Sequence, residues 1–144
     1  MAIVIVNGPN LNLLDLRKSR LYGGKSMDDV LADLREHFDV DIDYFQSNHE
    51  GALIDFLQKI HLESLNGKVF EGIILNAGGY AHTSVALRDC VEMLAVPVVE
   101  VHITDIYSRE VFRRVSLLSD VCVHSIVGKG IDGYKQGIEW LLKR

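Results

Sequence analysis

The chain predicts a doubly wound α/β fold on a five-stranded parallel sheet. Short apolar runs suited to buried strands alternate with segments of helical periodicity, which is the pattern of a parallel sheet with crossover helices. Four of these runs end abruptly in clusters of small and polar residues. No internal repeat, low-complexity tract or linker interrupts the alternation, so residues 1–144 read as one domain, long enough to bury a real core. Five strands with intervening helices is the flavodoxin-like count, with expected strand order 2-1-3-4-5.

The elements follow in order. Ile3-Val4-Ile5-Val6 runs into Asn7-Gly8-Pro9-Asn10-Leu11-Asn12. Residues 14–24 are polar, carry three basic side chains and end in Tyr22-Gly23-Gly24, which reads as a mobile flap. Ser26 is placed as an N-cap, with Asp29 three residues on, for a helix whose apolar face is Val30, Leu31, Leu34 and Phe38. Ile42-Asp43-Tyr44-Phe45 runs into Gln46-Ser47-Asn48-His49-Glu50-Gly51, and a helix over 51–65 stops near Asn66-Gly67. Gly72-Ile73-Ile74-Leu75 runs into Asn76-Ala77-Gly78-Gly79-Tyr80-Ala81-His82, before a helix that starts near Thr83-Ser84. Residues 96–101 run into His102-Ile103-Thr104-Asp105, and a long connection over 104–118 holds Arg109, Arg113 and Arg114. Connections of that length are more often functional than decorative. A fifth strand over 121–127 meets Gly128-Lys129-Gly130, and a helix with Ile138, Trp140, Leu141 and Leu142 closes the chain.

Composition narrows the function. With 48% hydrophobic and 24% charged residues, the chain is an ordinary soluble globular protein. Its apolar stretches are too short to span a membrane, and the start lacks the basic and apolar regions of a secretory signal; a cytoplasmic location is expected. A formal net charge of −5 with dispersed Lys and Arg argues against nucleic-acid binding. Cys90 and Cys122 sit in apolar surroundings without metal spacing and read as reduced thiols acting as small hydrophobes.

In a parallel sheet the carboxyl ends of the strands share one edge, and the ligand crevice lies there. The polar clusters would converge on one pocket suited to a small, oxygen-rich molecule. Glu100 and His102 are two apart on a strand and share a face. A carboxylate beside an imidazole fixes its tautomer and raises its basicity, and a functional histidine is favoured at a strand tip. Tyr22 lies between Arg17, Arg20 and a glycine pair. A guanidinium favours a phenolate, yet on the residues alone a surface tyrosine is the better reading. Asn76 and Asn10 suit holding hydroxyls or an oxyanion, or else bonding their own loops. His82 precedes a helix, where N–H groups attract anions; His49 reads as a capping residue. Arg113 is the substrate arginine preferred from the long connection, and Arg88-Asp89 reads as an exposed charged pair. The dinucleotide fingerprint G-x-G-x-x-G is absent.

Taken together, these blocks resemble type II 3-dehydroquinate dehydratase. Asn7-Gly8-Pro9-Asn10-Leu11-Asn12-Leu13-Leu14 is similar to the family's opening signature, and Arg17 and Tyr22-Gly23 to its lid. Gln46 to Gly51, Asn76 to Asp89 and Glu100-Val101-His102 are similar to its other blocks. The resemblance implies dehydration of 3-dehydroquinate to 3-dehydroshikimate, in the shikimate or quinate pathway, with no cofactor and no metal. It implies Tyr22 as general base, His102 as general acid, Arg17 as stabiliser of the transition state and phenolate, and Asn10 as the residue that positions a water against an enolate. It further implies substrate contacts from Asn76, His82, Ile103, Thr104 and Arg113. A trimer-based homododecamer is implied, with Asp89 reaching a neighbour's site. The chain departs from the family at Asp15, Lys18 and Ser19 in the flap, and Arg114 and Val115 follow Arg113 where a histidine is usual. Asp15 is expected to compete for the charge of Arg17. Two other readings stay open: a relative whose flap no longer closes, and a flavin-binding module of the same fold.

Overall fold

The computed structural model describes all 144 residues. Strands β1 (Ala2–Asn7), β2 (Asp41–Gln46), β3 (Phe70–Asn76), β4 (Val98–His102) and β5 (His124–Val127) form one sheet in the order β2-β1-β3-β4-β5, with all neighbours parallel. A single turn α1 (Ser19–Tyr22) and helices α2 (Met27–His37), α3 (Glu50–Leu65), α4 (Val85–Met93) and α5 (Asp132–Lys143) lie between and after the strands. The expected fold class and strand order hold.

The inner strands β1, β3 and β4 are mostly apolar because both faces of the sheet are covered there, whereas the edge strands β2 and β5 carry polar residues. Successive side chains point to opposite faces, so Ile3, Ile5, Ile74, Val99 and Val101 pack with α2 and α5 residues such as Leu31, Leu34, Ile138 and Leu141. Val4, Val6, Ile73, Leu75 and Val98 pack on the other face with Leu53 and Leu57 of α3 and Leu87 and Val91 of α4. The Ser26 hydroxyl accepts from Asp29 N–H, as its spacing predicts, and Ser84 caps α4 by accepting from Leu87 N–H.

Register brings the polar strand ends together. Asn7 stands opposite Gln46 on one side and Asn76 on the other. The chain leaves β1 towards β2 and returns on the far side as β3, so the crevice opens between β1 and β3. Gly8 passes so close to Ala77 that a Cβ there would strike the Ala77 carbonyl, and its N–H donates to the Asn76 carbonyl at 2.8 Å. Beyond β5, the N–H groups of Gly128 and Gly130 donate to the carbonyls of His102 and Ile103, fastening the tip of β4. Gly128 has φ of 76° and packs against Asp105, which suits glycine alone.

Two expectations need correction. The fifth strand is shorter than 121–127: Val121 and Cys122 donate to the Leu118 carbonyl in a turn, and pairing with β4 begins only at Val123, whose N–H reaches the Val98 carbonyl. Cys122 therefore lies before the strand. Within residues 14–24, Leu14 and Tyr22 bury their side chains among the core residues. His49 occupies the N-cap position of α3, but its side chain makes no capping bond.

Candidate active site

A cavity of about 160 Å³ opens at the carboxyl ends of β1, β3 and β4. That is below the ~300–1,000 Å³ of sites for drug-sized ligands, and suits a small polar molecule better than a flavin. Its lining includes Asn10, Arg17, Tyr22, Asn76, His82, His102, Ile103, Thr104 and Arg113. Glu100 stands behind His102, and Asp89 is exposed on α4 outside the cavity. Arg109 also lines the cavity, and the sequence had given no reason to choose it over its neighbours.

Tyr22 ends the α1 turn, its N–H bonded to the Lys18 carbonyl. Its phenol oxygen accepts from Arg17 Nη2 at 2.6 Å and from Arg109 Nη1 at 3.1 Å. The Arg17 guanidinium also lies 3.8 Å from the centre of the Tyr22 ring. Asp15 makes no ion pair with Arg17, so the expected competition does not occur. Arg109 comes back to the cavity because Asp105 caps a short turn over Ile106–Ser108, accepting from Tyr107 N–H. The same Nη1 donates to Thr104 Oγ1 at 3.3 Å.

Opposite in kind is the buried pair from β4. His102 Nε2 bonds Glu100 Oε2 at 2.7 Å. Glu100 also accepts from Ser116, from Ser119 at 2.6 Å and from Ser125 at 2.8 Å. Burial opposes ionisation of Glu100, but the bond and charge of His102, with the hydroxyls of Ser116 and Ser119, outweigh it and bring the carboxyl down to about 2. A carboxylate can only accept, so Nε2 carries the hydrogen. Nδ1 is then the ring position at which a proton can be gained or lost. Since every fully buried side-chain nitrogen and oxygen has a partner, Nδ1, which has none, is accessible from the cavity.

His82 stacks near His102, ring centres 5.9 Å apart. Its Nδ1 bonds the Val115 carbonyl at 2.8 Å, so Nδ1 carries the hydrogen and Nε2 is left to accept. Burial, the largest influence, pushes the His82 imidazole below its ordinary value; the bond to Val115 and the Glu100 charge oppose it, and the His102 and Arg113 charges reinforce it. Arg113 donates to Glu110 at 2.7 Å beside the cavity. Asn10 has φ of 72°, a conformation asparagine tolerates, and its N–H donates to Asn48 Oδ1 at 3.0 Å. Asn76 donates to the Tyr134 hydroxyl at 3.0 Å and accepts from Gly78 N–H at 3.2 Å. Arg88 bonds Asp120 and the Leu117 carbonyl, leaving its sequence neighbour Asp89 free of an ion pair. The cavity thus holds an oxygen acid between two guanidinium groups, an imidazole backed by a carboxylate, and fixed amides. Such a set suits proton transfer on a small, oxygen-rich molecule.

The family model described as dehydroquinase class II matches residues 1–142. The chain belongs to the class II dehydroquinase family. Curated members similar to it include the 3-dehydroquinate dehydratase of Fusobacterium nucleatum, 41% identical, with 99% of this chain and 97% of the relative covered. That of an Exiguobacterium species is 44% identical, with 99% and 95% covered. Among solved structures, the type II dehydroquinase of Butyrivibrio crossotus superposes with a TM-score of 0.91 at 36% identity, covering 99% of this chain and 97% of that one. The class II dehydroquinase fold thus extends over nearly the whole chain.

Proposed function

We propose that this chain dehydrates 3-dehydroquinate to 3-dehydroshikimate in the shikimate or quinate pathway, by acid–base elimination through an enolate without a cofactor. Tyr22, as phenolate, takes a proton from the carbon beside the ketone, and the electron pair moves onto the ketone oxygen as an enolate. The enolate then re-forms the ketone as the carbon–oxygen bond on the next carbon breaks. His102 protonates the departing hydroxide from Nδ1, so water leaves and a conjugated enone remains. Glu100 holds the Nε2 hydrogen and balances the imidazolium. Asn10 positions a water against the enolate oxygen, while Asn76, His82, Ile103, Thr104 and Arg113 hold the substrate. Arg17 and Arg109 bond the Tyr22 oxygen, and charged hydrogen bonds strengthen as that oxygen becomes anionic.

The observation that carries this reading is the Tyr22 oxygen gripped by both guanidinium groups, in the cavity that His102 also lines. Family membership supplies the substrate. An assembly larger than a monomer, built from trimers up to a dodecamer, belongs to the same proposal, with Asp89 of one subunit contributing to its neighbour's cavity. The test is the ultraviolet rise of the enone on adding 3-dehydroquinate to purified protein; no rise overturns the proposal.

A further inference from the structure

Beneath the cavity runs a buried chain of hydrogen bonds that the elimination itself does not use. Gly78 N–H donates to Asn76 Oδ1 at 3.2 Å, Asn76 Nδ2 to the Tyr134 hydroxyl at 3.0 Å, the Tyr134 hydroxyl to Asn7 Oδ1 at 2.8 Å, and Asn7 Nδ2 to the Tyr44 hydroxyl at 3.2 Å. Every donor points the same way along the series, from β3 through α5 to β1 and β2. Tyr134 and Asn7 are wholly buried and Asn76 is 3% exposed, so no water can replace a lost partner cheaply.

We infer that Tyr134 is a positioning residue for substrate binding, which locks the amide of Asn76 in one of its two orientations at the cavity wall. This rests on the proposed function. An asparagine amide rotated by half a turn exchanges donor and acceptor. Rotation of Asn76 would set its NH₂ against Gly78 N–H, donor against donor, and would remove the hydrogen that the Tyr134 oxygen accepts. Rotation of Asn7 would set its NH₂ against the Tyr134 hydroxyl hydrogen. Burial holds the Tyr134 phenol well above its ordinary value, so it remains a hydroxyl with one hydrogen to give. With one hydrogen committed to Tyr134 and one lone pair to Gly78, Asn76 keeps one N–H and one lone pair for a ligand. A hydroxyl group, both donor and acceptor, satisfies the two together; a ketone oxygen satisfies only the first. The locked amide therefore reads a hydroxyl of the substrate.

The test compares Tyr134→Phe with Tyr44→Phe. Tyr134→Phe keeps the ring and frees the Asn76 amide, whereas Tyr44→Phe removes the far end of the series and leaves the Asn76–Tyr134 bond in place. Expected for Tyr134→Phe is a KM raised about tenfold with kcat changed less than about threefold, the signature of lost ground-state binding. Tyr44→Phe should keep the parental KM. A parental KM in Tyr134→Phe, or an equal rise in both variants, overturns the positioning role. A crystal structure of Tyr134→Phe supplies a reading independent of turnover: an Asn76 side chain turned away from Gly78 N–H or held in two orientations is expected, and an unmoved one overturns the inference. A parent that makes no product overturns the proposed activity instead, and the variant's crystal structure still decides the locking of Asn76.

Discussion

Arg109 Nη1 donates to the phenol oxygen of Tyr22 at 3.1 Å, a contact between residues 87 apart in the chain. With Arg17 on the same oxygen at 2.6 Å, the hydroxyl at the end of the α1 turn is held from two separate segments. Arg20, closer to Tyr22 in sequence, is exposed and makes no such bond. Removing one charged hydrogen bond costs about 1.5–3 kcal/mol, or roughly 10–150-fold in rate if it acts in the transition state. Arg17→Ala and Arg109→Ala should each lose single-turnover rate in that range, and Arg20→Ala should match the parent. A slow Arg20→Ala beside a parental Arg109→Ala would reverse the assignment.

His102→Ala should lose turnover by ~10²–10⁴-fold, the usual worth of a positioned general acid, while still binding substrate in calorimetry. Glu100→Gln should slow turnover as well, because a neutral amide no longer balances a proton on His102. Parental turnover in His102→Ala would remove it from the acid role.

Glu100 also links stability to pH. Its folded value, about 2, lies below the ordinary 4.5, so unfolding takes up a proton between those values. The stabilisation is complete above about pH 4.5 and is lost as the pH falls towards 2. Urea midpoints measured from pH 6 downward, within about the range where the parent stays folded, should fall more steeply in the parent than in Glu100→Gln. Parallel slopes would show that the carboxylate contributes nothing there.

Asp89 is exposed on α4 and outside its own chain's cavity. If it serves a neighbour, Asp89→Ala and Tyr22→Phe chains, each impaired alone, should complement when co-refolded, giving roughly a quarter of the parental rate for random pairing. Light scattering should report a species larger than a monomer. No complementation, or an active monomer, would contradict the shared site.

The parts of the cavity legible in the sequence are those set by strand ends. β1, β3 and β4 are built on apolar runs, so the polar residues at or just beyond their carboxyl ends, Asn10, Asn76 and His102, fall on one sheet edge once the strands are parallel. Glu100 beside His102 was legible from the two-residue period of a strand. Arg109 was not: Arg109, Arg113 and Arg114 are equivalent in an irregular connection until the turn capped by Asp105 sends Arg109 back to Thr104. Tyr134 was hidden for another reason. Its partners Asn7 and Asn76 lie 127 and 58 residues away, and only the packing of α5 across the sheet brings them to it. The fifth strand was read too long because Val121 and Cys122 are apolar for packing against the α3–α4 face rather than for pairing.

The most direct measurement follows enone absorbance in a single turnover of 3-dehydroquinate by the parent and by Tyr22→Phe. The parent should form the enone, and Tyr22→Phe, which keeps the ring but has no proton acceptor, should be slower by at least ~10²-fold. A silent parent, or a Tyr22→Phe protein that keeps pace with it, would contradict the assignment of Tyr22 as the base.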